Sequence, residues 1–217
     1  MRPAGVVFDL DGTLVDSRQD LAAAVAATRE QFGLPPLPLG EVTAMVGEGA
    51  RTLVRRALPA AIAGDAFEAA FAAFTELYLE RCLVETRPYP GIAAMLEALA
   101  PRFRLAVLTN KPERPARLIL DGLGLAPFVD VLVGGDGAVA RKPDPAGLHA
   151  IAAGWSTTAA RLLLVGDSRV DADAARAAGS ALALVAWGYG KAEELDSVVA
   201  WRVELPLDLT TGLTAAP

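Results

Sequence analysis

Two aspartates placed just past an apolar run are the residues whose type and spacing speak most directly of chemistry. Gly5-Val6-Val7-Phe8 is followed by Asp9-Leu10-Asp11-Gly12-Thr13-Leu14. Such a β-branched run predicts a buried strand, and the carboxyl ends of strands are where open α/β sheets bind ligands. Asp9 and Asp11 are two residues apart, so extended backbone sends both side chains to one side. Two carboxylates held that close repel each other unless a cation or a shared proton offsets the charge. A divalent metal with oxygen ligands is the simplest resolution at neutral pH. Gly12 then lets the backbone turn sharply away.

Three further segments carry comparable groups. Arg104-Leu105-Ala106-Val107-Leu108-Thr109-Asn110 reads as an apolar strand ending in a hydroxyl residue. Arg141-Lys142-Pro143-Asp144-Pro145 holds a lysine whose backbone is stiffened by prolines, in a chain where lysine occurs only at 111, 142 and 191. Leu162-Leu163-Leu164-Val165-Gly166-Asp167-Ser168-Arg169-Val170-Asp171 is a second buried strand ending in acids. His149 is the single histidine, which leaves a Ser-His-Asp triad without support. Gly47-x-Gly49 and Gly135-x-Gly137 are too incomplete for a dinucleotide-binding loop.

Taken in order, these four segments resemble the four motifs of the haloacid-dehalogenase-like phosphohydrolases, and the resemblance covers nearly the whole chain. It implies an α/β fold, a Rossmann-like doubly wound parallel sheet with an inserted α-helical cap domain. It implies Asp9 as nucleophile and Asp11 as general acid and base, with the Asp11 backbone carbonyl also reaching a metal. Thr109, Asn110 and Lys142 then bind the substrate phosphate, and Mg²⁺ is held by Asp9, Asp11, Asp167 and Asp171. Asp171, at the start of a helix, either ligates directly or orients a metal-bound water. Val170 departs from the Asn of many relatives but leaves the spacing of the two acids intact.

Smaller segments resemble the phosphoglycolate phosphatase branch of that family. These are Val46-Gly47-Glu48-Gly49-Ala50, Pro88-Tyr89-Pro90-Gly91, Thr109-Asn110-Lys111-Pro112, Gly134-Gly135-Asp136 and Gly188-Tyr189-Gly190. The implied activity is Mg²⁺-dependent hydrolysis of a small phosphorylated metabolite through an aspartyl-phosphate, with phosphoglycolate as the leading substrate. A phosphosugar mutase of the β-phosphoglucomutase type, or a phosphatase for another small phosphate ester or pyrophosphate, are the alternatives. Substrate choice falls to the cap, where Glu48 and Arg51 are the candidates and Arg51 suits a substrate carboxylate.

The elements that must position these groups fall into two kinds. Residues 1–15 and 88–217 alternate short apolar strands with helical stretches, the pattern of a parallel sheet covered on both faces. Residues 16–87 read as helical throughout and form the expected cap. Ser17 with Asp20 predicts a capping box, and Leu21, Val25, Thr28 and Phe32 follow at helical spacing. Gly33 and Pro35-Pro36 end that helix. Phe67, Phe71, Phe74 and Tyr78 mark one face of a longer helix, expected to pack inside the cap. Thr210–Pro217 is expected to fray.

Composition narrows the class. At 217 residues the chain can bury a full core, and 53% hydrophobic with 21% charged residues reads as globular. A net charge of −6 opposes non-specific binding to nucleic acid or anionic membranes. A single cysteine, Cys82, forbids an internal disulfide and fits a reducing compartment. No apolar run approaches a membrane span, and no signal peptide precedes the first strand, so a cytoplasmic monomer or homodimer is expected.

Overall fold

The computed structural model describes residues 2–190 and 201–215. Gly5–Phe8 forms β1, buried along its whole length as its Val-Val-Phe run demands. The chain turns at Gly12 and passes through β2 (Val15–Asp16) into a segment of helices only: α1 (Arg18–Gln31), α2 (Leu39–Thr43), α3 (Ala50–Ala57) and α4 (Gly64–Arg81). It returns through β3 (Arg87–Pro88), which pairs antiparallel with β2, Asp16 opposite Arg87. Helices and strands then alternate: α5 (Ile92–Leu99), β4 (Arg104–Leu108), α6 (Glu113–Gly122), β5 (Val131–Val133), α7 (Ala146–Gly154), β6 (Leu162–Gly166), α8 (Arg169–Ala178) and β7 (Ala181–Val185). Past residues 191–200, β8 (Trp201–Val203) and α9 (Pro206–Ala215) complete the described chain.

The main sheet has the order β5-β4-β1-β6-β7-β8, with every neighbouring pair parallel. Its two faces are both covered, as the alternation along β1 requires. Val6 and Phe8 share one apolar cluster with α5 (Met95, Leu96), α6 (Ile119) and α9 (Leu209, Leu213). Val7 joins the other, with α7 (Leu148, Ile151) and α8 (Ala172, Ala175). This is the doubly wound α/β arrangement expected from the alternation of strands and helices. Its consequence for function lies in register. Phe8 pairs with Val107 on one side and with Val165 on the other. The three central strands therefore end within one residue of each other, and Asp9, Thr109 and Asp167 are the residues that follow those ends.

The helical segment has its own packing. Phe67, Phe74 and Tyr78 on α4 are buried in the apolar cluster, as expected, while Phe71 is half-buried. The expected capping box at the start of α1 does not form. The Ser17 side chain caps nothing and instead donates to Asp11 Oδ1 at 2.5 Å. Asp20 is fully engaged elsewhere: its carboxylate accepts from Glu85 N, Thr86 N and Thr86 Oγ1 at 2.7–3.1 Å. These bonds tie the start of α1 to the segment returning from α4, a stronger use of a buried carboxylate than a cap on one exposed turn.

One other expectation is corrected. Residues 206–215 form α9 rather than a frayed end, because Leu209 and Leu213 bury against the sheet cluster; residues 216–217 lie outside the described chain. Lys191 also lies outside it. Among the described residues, no helix is long and apolar enough to cross a membrane.

Candidate active site

Asp9, Asp167 and Asp171 converge at the carboxyl end of the sheet. All three are buried, and one oxygen from each lies within 4.8 Å of the others. Two of them come from neighbouring strand ends, and Asp171 comes from the first turn of α8. There Ser168 forms a capping box with it: Ser168 Oγ and N both donate to Asp171 Oδ2, at 2.6 and 3.2 Å. Lys142, from the loop before α7, reaches across the group. Its Nζ stands 2.9 Å from Asp9 Oδ1 and 2.6 Å from Asp171 Oδ1. Asp167 is held from three directions, by Thr13 Oγ1 at 3.3 Å, Tyr189 N at 2.7 Å and Gly190 N at 3.1 Å. A Cβ at residue 188 or 190 would overlap Asp167, so only glycine lets this loop close on it.

One ammonium among three buried carboxylates leaves the group two negative charges in excess when all are ionised. The electrostatics express that excess. Burial pushes the Asp9 carboxyl up to about 6; Lys142 opposes this and Asp171 adds to it. Burial, then the charges of Asp171 and Asp9, push Asp167 up to about 7 against the two backbone donors. Lys142 is driven above the ordinary lysine range, since Asp171 and Asp9 outweigh the cost of its burial. An all-oxygen group short of positive charge suits a hard divalent cation, and Asp9, Asp167 and Asp171 are the residues placed to hold one.

Asp11 belongs to a separate polar centre. Lys111 Nζ contacts both its oxygens, at 2.9 and 2.8 Å, and Ser17 Oγ donates to Oδ1. Lys111 is itself buried and lies 4.7 Å from the centroid of the Tyr78 ring. Beside Asp11, the main chain at Ser17 is fixed by Tyr189, whose hydroxyl accepts from Ser17 N at 2.7 Å and donates to Asp16 Oδ1 at 3.2 Å.

Between the sheet end and the helical segment lies a cavity of about 60 Å³, open to the centre of a water-sized sphere. At roughly 10–15 Å³ per water centre it holds about four to six waters. Asp9, Asp11, Thr109, Asn110 and Lys111 line its floor; Leu21, Leu53, Phe74, Tyr78 and Leu79 form much of its roof. Asn110 clasps the two sides together, donating to Gly47 O at 2.9 Å and to Lys142 O at 2.8 Å. Gly49, with φ of +93°, packs against the Asn110 carbonyl where any Cβ would crowd it.

Residues 3–179 match the family model of the haloacid dehalogenase-like hydrolases. The chain belongs to that family. Its relatives include a phosphoglycolate phosphatase of Rhodospirillum rubrum, 46% identical over 199 residues that cover 87% of this chain and 82% of the relative. A phosphoglycolate phosphatase of Caulobacter vibrioides is 38% identical over 99% of this chain and 94% of its own. Among solved structures, that of a predicted phosphoglycolate phosphatase from Haemophilus somnus superposes with a TM-score of 0.91 at 31% identity, covering 96% of this chain and 97% of that one.

Within this hydrolase, the residues expected from sequence separate into those the fold gathers and those it does not. Asp9, Thr109, Lys142, Asp167 and Asp171 all lie buried at or beside the strand ends. The Asp11 carboxylate lines the cavity together with Asp9, as its spacing led one to expect, but stands outside the three-acid group. The reason is local: β1 ends at Phe8, and the backbone is already turning at Leu10 and Asp11, so strict two-residue alternation no longer holds. Asn110 spends both amide hydrogens on carbonyls, so its side chain offers a phosphoryl group no donor. Glu48 and Arg51 do not line the cavity. Glu48 pairs with Arg56 at 2.7 Å and Arg51 with Glu68, all on the exposed surface. Ala50 and Leu53 face the cavity, and a helix turns Arg51 about 100° away from Ala50.

Sequence reasoning gave Lys111 no role of its own and did not place Ser17, Tyr78 or Tyr189 in the site. For Lys111 the signals were its rarity and its place directly after Thr109-Asn110. For Tyr189 the signal was the pair of flanking glycines.

Proposed function

We propose that this chain is a Mg²⁺-dependent phosphatase that hydrolyses a small phosphate monoester, 2-phosphoglycolate foremost, with residues 16–87 acting as a cap over a core of 1–15 and 88–217. The observation that carries this reading is Lys142 bridging Asp9 and Asp171, with Asp9 itself lining a small cavity. That arrangement supplies a buried carboxylate, a fixed positive charge beside it and an acidic group short of a cation. A phosphoryl group needs these three together. The names of the relatives point to the same substrate.

Asp9 attacks phosphorus, the P–O bond to the leaving alkoxide breaks, and the alkoxide takes a proton from Asp11. The product is an aspartyl-phosphate. Water then attacks that phosphorus, gives its proton to Asp11, and releases phosphate with Asp9 restored. One residue serves both steps because they run in opposite protonation directions. Mg²⁺ held by Asp9, Asp167 and Asp171 would supply charge neutralisation to a phosphoryl oxygen and align it with the nucleophile. Lys142 adds fixed positive charge, Thr109 offers its hydroxyl, and Ser17 and Lys111 hold the Asp11 carboxylate in place. The cavity's size and largely apolar roof favour a short alcohol over a hexose, which sets the mutase reading aside.

Phosphate release from 2-phosphoglycolate, pyrophosphate, nucleotides and hexose phosphates, with Mg²⁺ and with excess chelator, tests the reading. The expected result is release from 2-phosphoglycolate that chelator abolishes and Mg²⁺ restores. Undiminished activity after verified metal removal would overturn the metal dependence, and preference for a hexose phosphate would overturn the substrate.

A further inference from the structure

We propose that Lys111 and Tyr78 form the subsite that recognises a carboxylate on the alcohol part of the substrate, so that this enzyme selects phosphate esters carrying a second anion close to the ester oxygen. The inference rests on the phosphatase reading above and adds to it the residues that read the substrate.

The argument begins with charge. Among the described residues, the charged side chains lining the cavity are Asp9, Asp11 and Lys111. With the phosphoryl group at Asp9, Lys111 is the cation in the cavity lining that the rest of the substrate meets. Its ammonium has three N–H bonds. Two engage the oxygens of Asp11, which leaves one for a ligand. Lys111 is buried, so an anion brought to it is desolvated and the pairing is strong in proportion.

Tyr78 is an independent observation pointing to the same place. Its ring lies under the Lys111 ammonium and lines the cavity. Its hydroxyl is buried and has no hydrogen-bond partner. Orphaned polar atoms are rare in folded proteins, and one in the wall of a cavity signals a ligand that satisfies it. Burial, with the charge of Asp11 nearby, holds this hydroxyl far above its ordinary range, so it serves as a donor. A buried hydroxyl and a lysine N–H on residues lining one cavity supply a donor for each oxygen of a carboxylate. The apolar neighbours Leu53, Phe74 and Leu79 offer nothing to a sugar's hydroxyls. Arg51, the cap residue expected from sequence to take this role, is turned to the outside.

The test compares kcat/KM for 2-phosphoglycolate and ethyl phosphate, esters of similar size that differ by the carboxylate. Both form the same phosphoenzyme, so their ratio isolates recognition of the alcohol part. The wild type is expected to prefer 2-phosphoglycolate by about 10²-fold or more, the scale at which a site built for a polar group rejects the analogue that lacks it. Lys111→Met should bring the ratio to within about threefold of unity, and Tyr78→Phe should lower it about fivefold. Equal losses on both esters in Lys111→Met, or a wild type without preference, would overturn the subsite. If Lys111→Met does not fold, the Tyr78→Phe ratio decides, and an unchanged ratio there overturns it. A wild type that hydrolyses ethyl phosphate but not 2-phosphoglycolate would overturn the substrate reading itself. A wild type active on 2-phosphoglycolate whose ratio survives both substitutions would overturn the subsite alone.

Discussion

The floor and the roof of the cavity are built on opposite principles. On the floor, each charged group has a specific partner: Lys142 with Asp9 and Asp171, Ser168 with Asp171, the 189–190 backbone with Asp167, Lys111 with Asp11. In the roof, Leu21, Leu53, Phe74 and Leu79 meet the ligand space with apolar surface. Chemistry that moves a phosphoryl group demands fixed charges on rigid strand ends, whereas selection among small alcohols demands shape and one well-placed cation. The difference implies that substitutions in the floor, the selecting cation Lys111 apart, change rate on every substrate, while those in the roof redistribute rate among substrates.

The largest expected effect falls on the floor. Asp9→Asn keeps the shape but removes the nucleophile, and kcat should fall at least about 10⁴-fold on all esters alike. Asp11→Asn leaves the nucleophile and impairs proton transfer, for a loss of about 10²–10⁴-fold. That loss should shrink for aryl phosphates, whose leaving groups need little protonation; a loss independent of leaving group would contradict the role given to Asp11. In the roof, Phe74→Ala should cost about 3–5 kcal/mol of stability by chemical denaturation and shift selectivity toward bulkier esters. A uniform fall in kcat/KM across the substrate panel would erase the distinction between floor and roof.

Charge excess in the floor gives a pH signature. Asp9 and Asp167 have folded-state values near 6 and 7, above the ordinary 3.8. A raised value means the folded state favours the protonated form, so the stability these groups contribute is present at low pH and is lost as pH rises through 6 and 7. Metal-free protein should therefore lose roughly 5–10 °C of Tm between pH 5 and 8 from these groups, and saturating Mg²⁺ should remove that slope. A slope unchanged by Mg²⁺ in calorimetry would detach these acids from the metal. The smallest effect belongs to the outer surface: Glu48→Ala and Arg51→Ala should leave the kcat/KM of every ester within about twofold, because exposed pairs contribute little.

The floor was legible in the sequence and the roof was not. Asp9, Thr109 and Asp167 each close an apolar strand, and buried strands announce their ends in one dimension. Lys142 was found through its rarity and its prolines. The direction of a side chain past a strand end is a matter of turn geometry, so the place of the Asp11 carboxylate outside the three-acid group was not legible from its spacing to Asp9. Ser17 and Asp20 satisfied a local capping pattern, but partners outside the helix, Asp11 for one and Glu85 with Thr86 for the other, outweighed it. In the roof, periodicity identified the aromatic face of α4 yet could not tell which ring meets a cavity and which does not. Glu48 and Arg51 were chosen for charge, and the helix phase that turns Arg51 outward depends on which neighbours pack beneath it.

The account rests most heavily on Asp9 as the group that receives the phosphoryl. Rapid mixing of wild-type protein and Mg²⁺ with 2-phosphoglycolate labelled in its phosphoryl group, quenched in acid and mapped by peptide, tests this directly. The predicted result is transient label on the peptide containing Asp9, absent in Asp9→Asn and absent with chelator. Label at wild-type level in Asp9→Asn, or product released in the first turnover with no labelled protein, would contradict it.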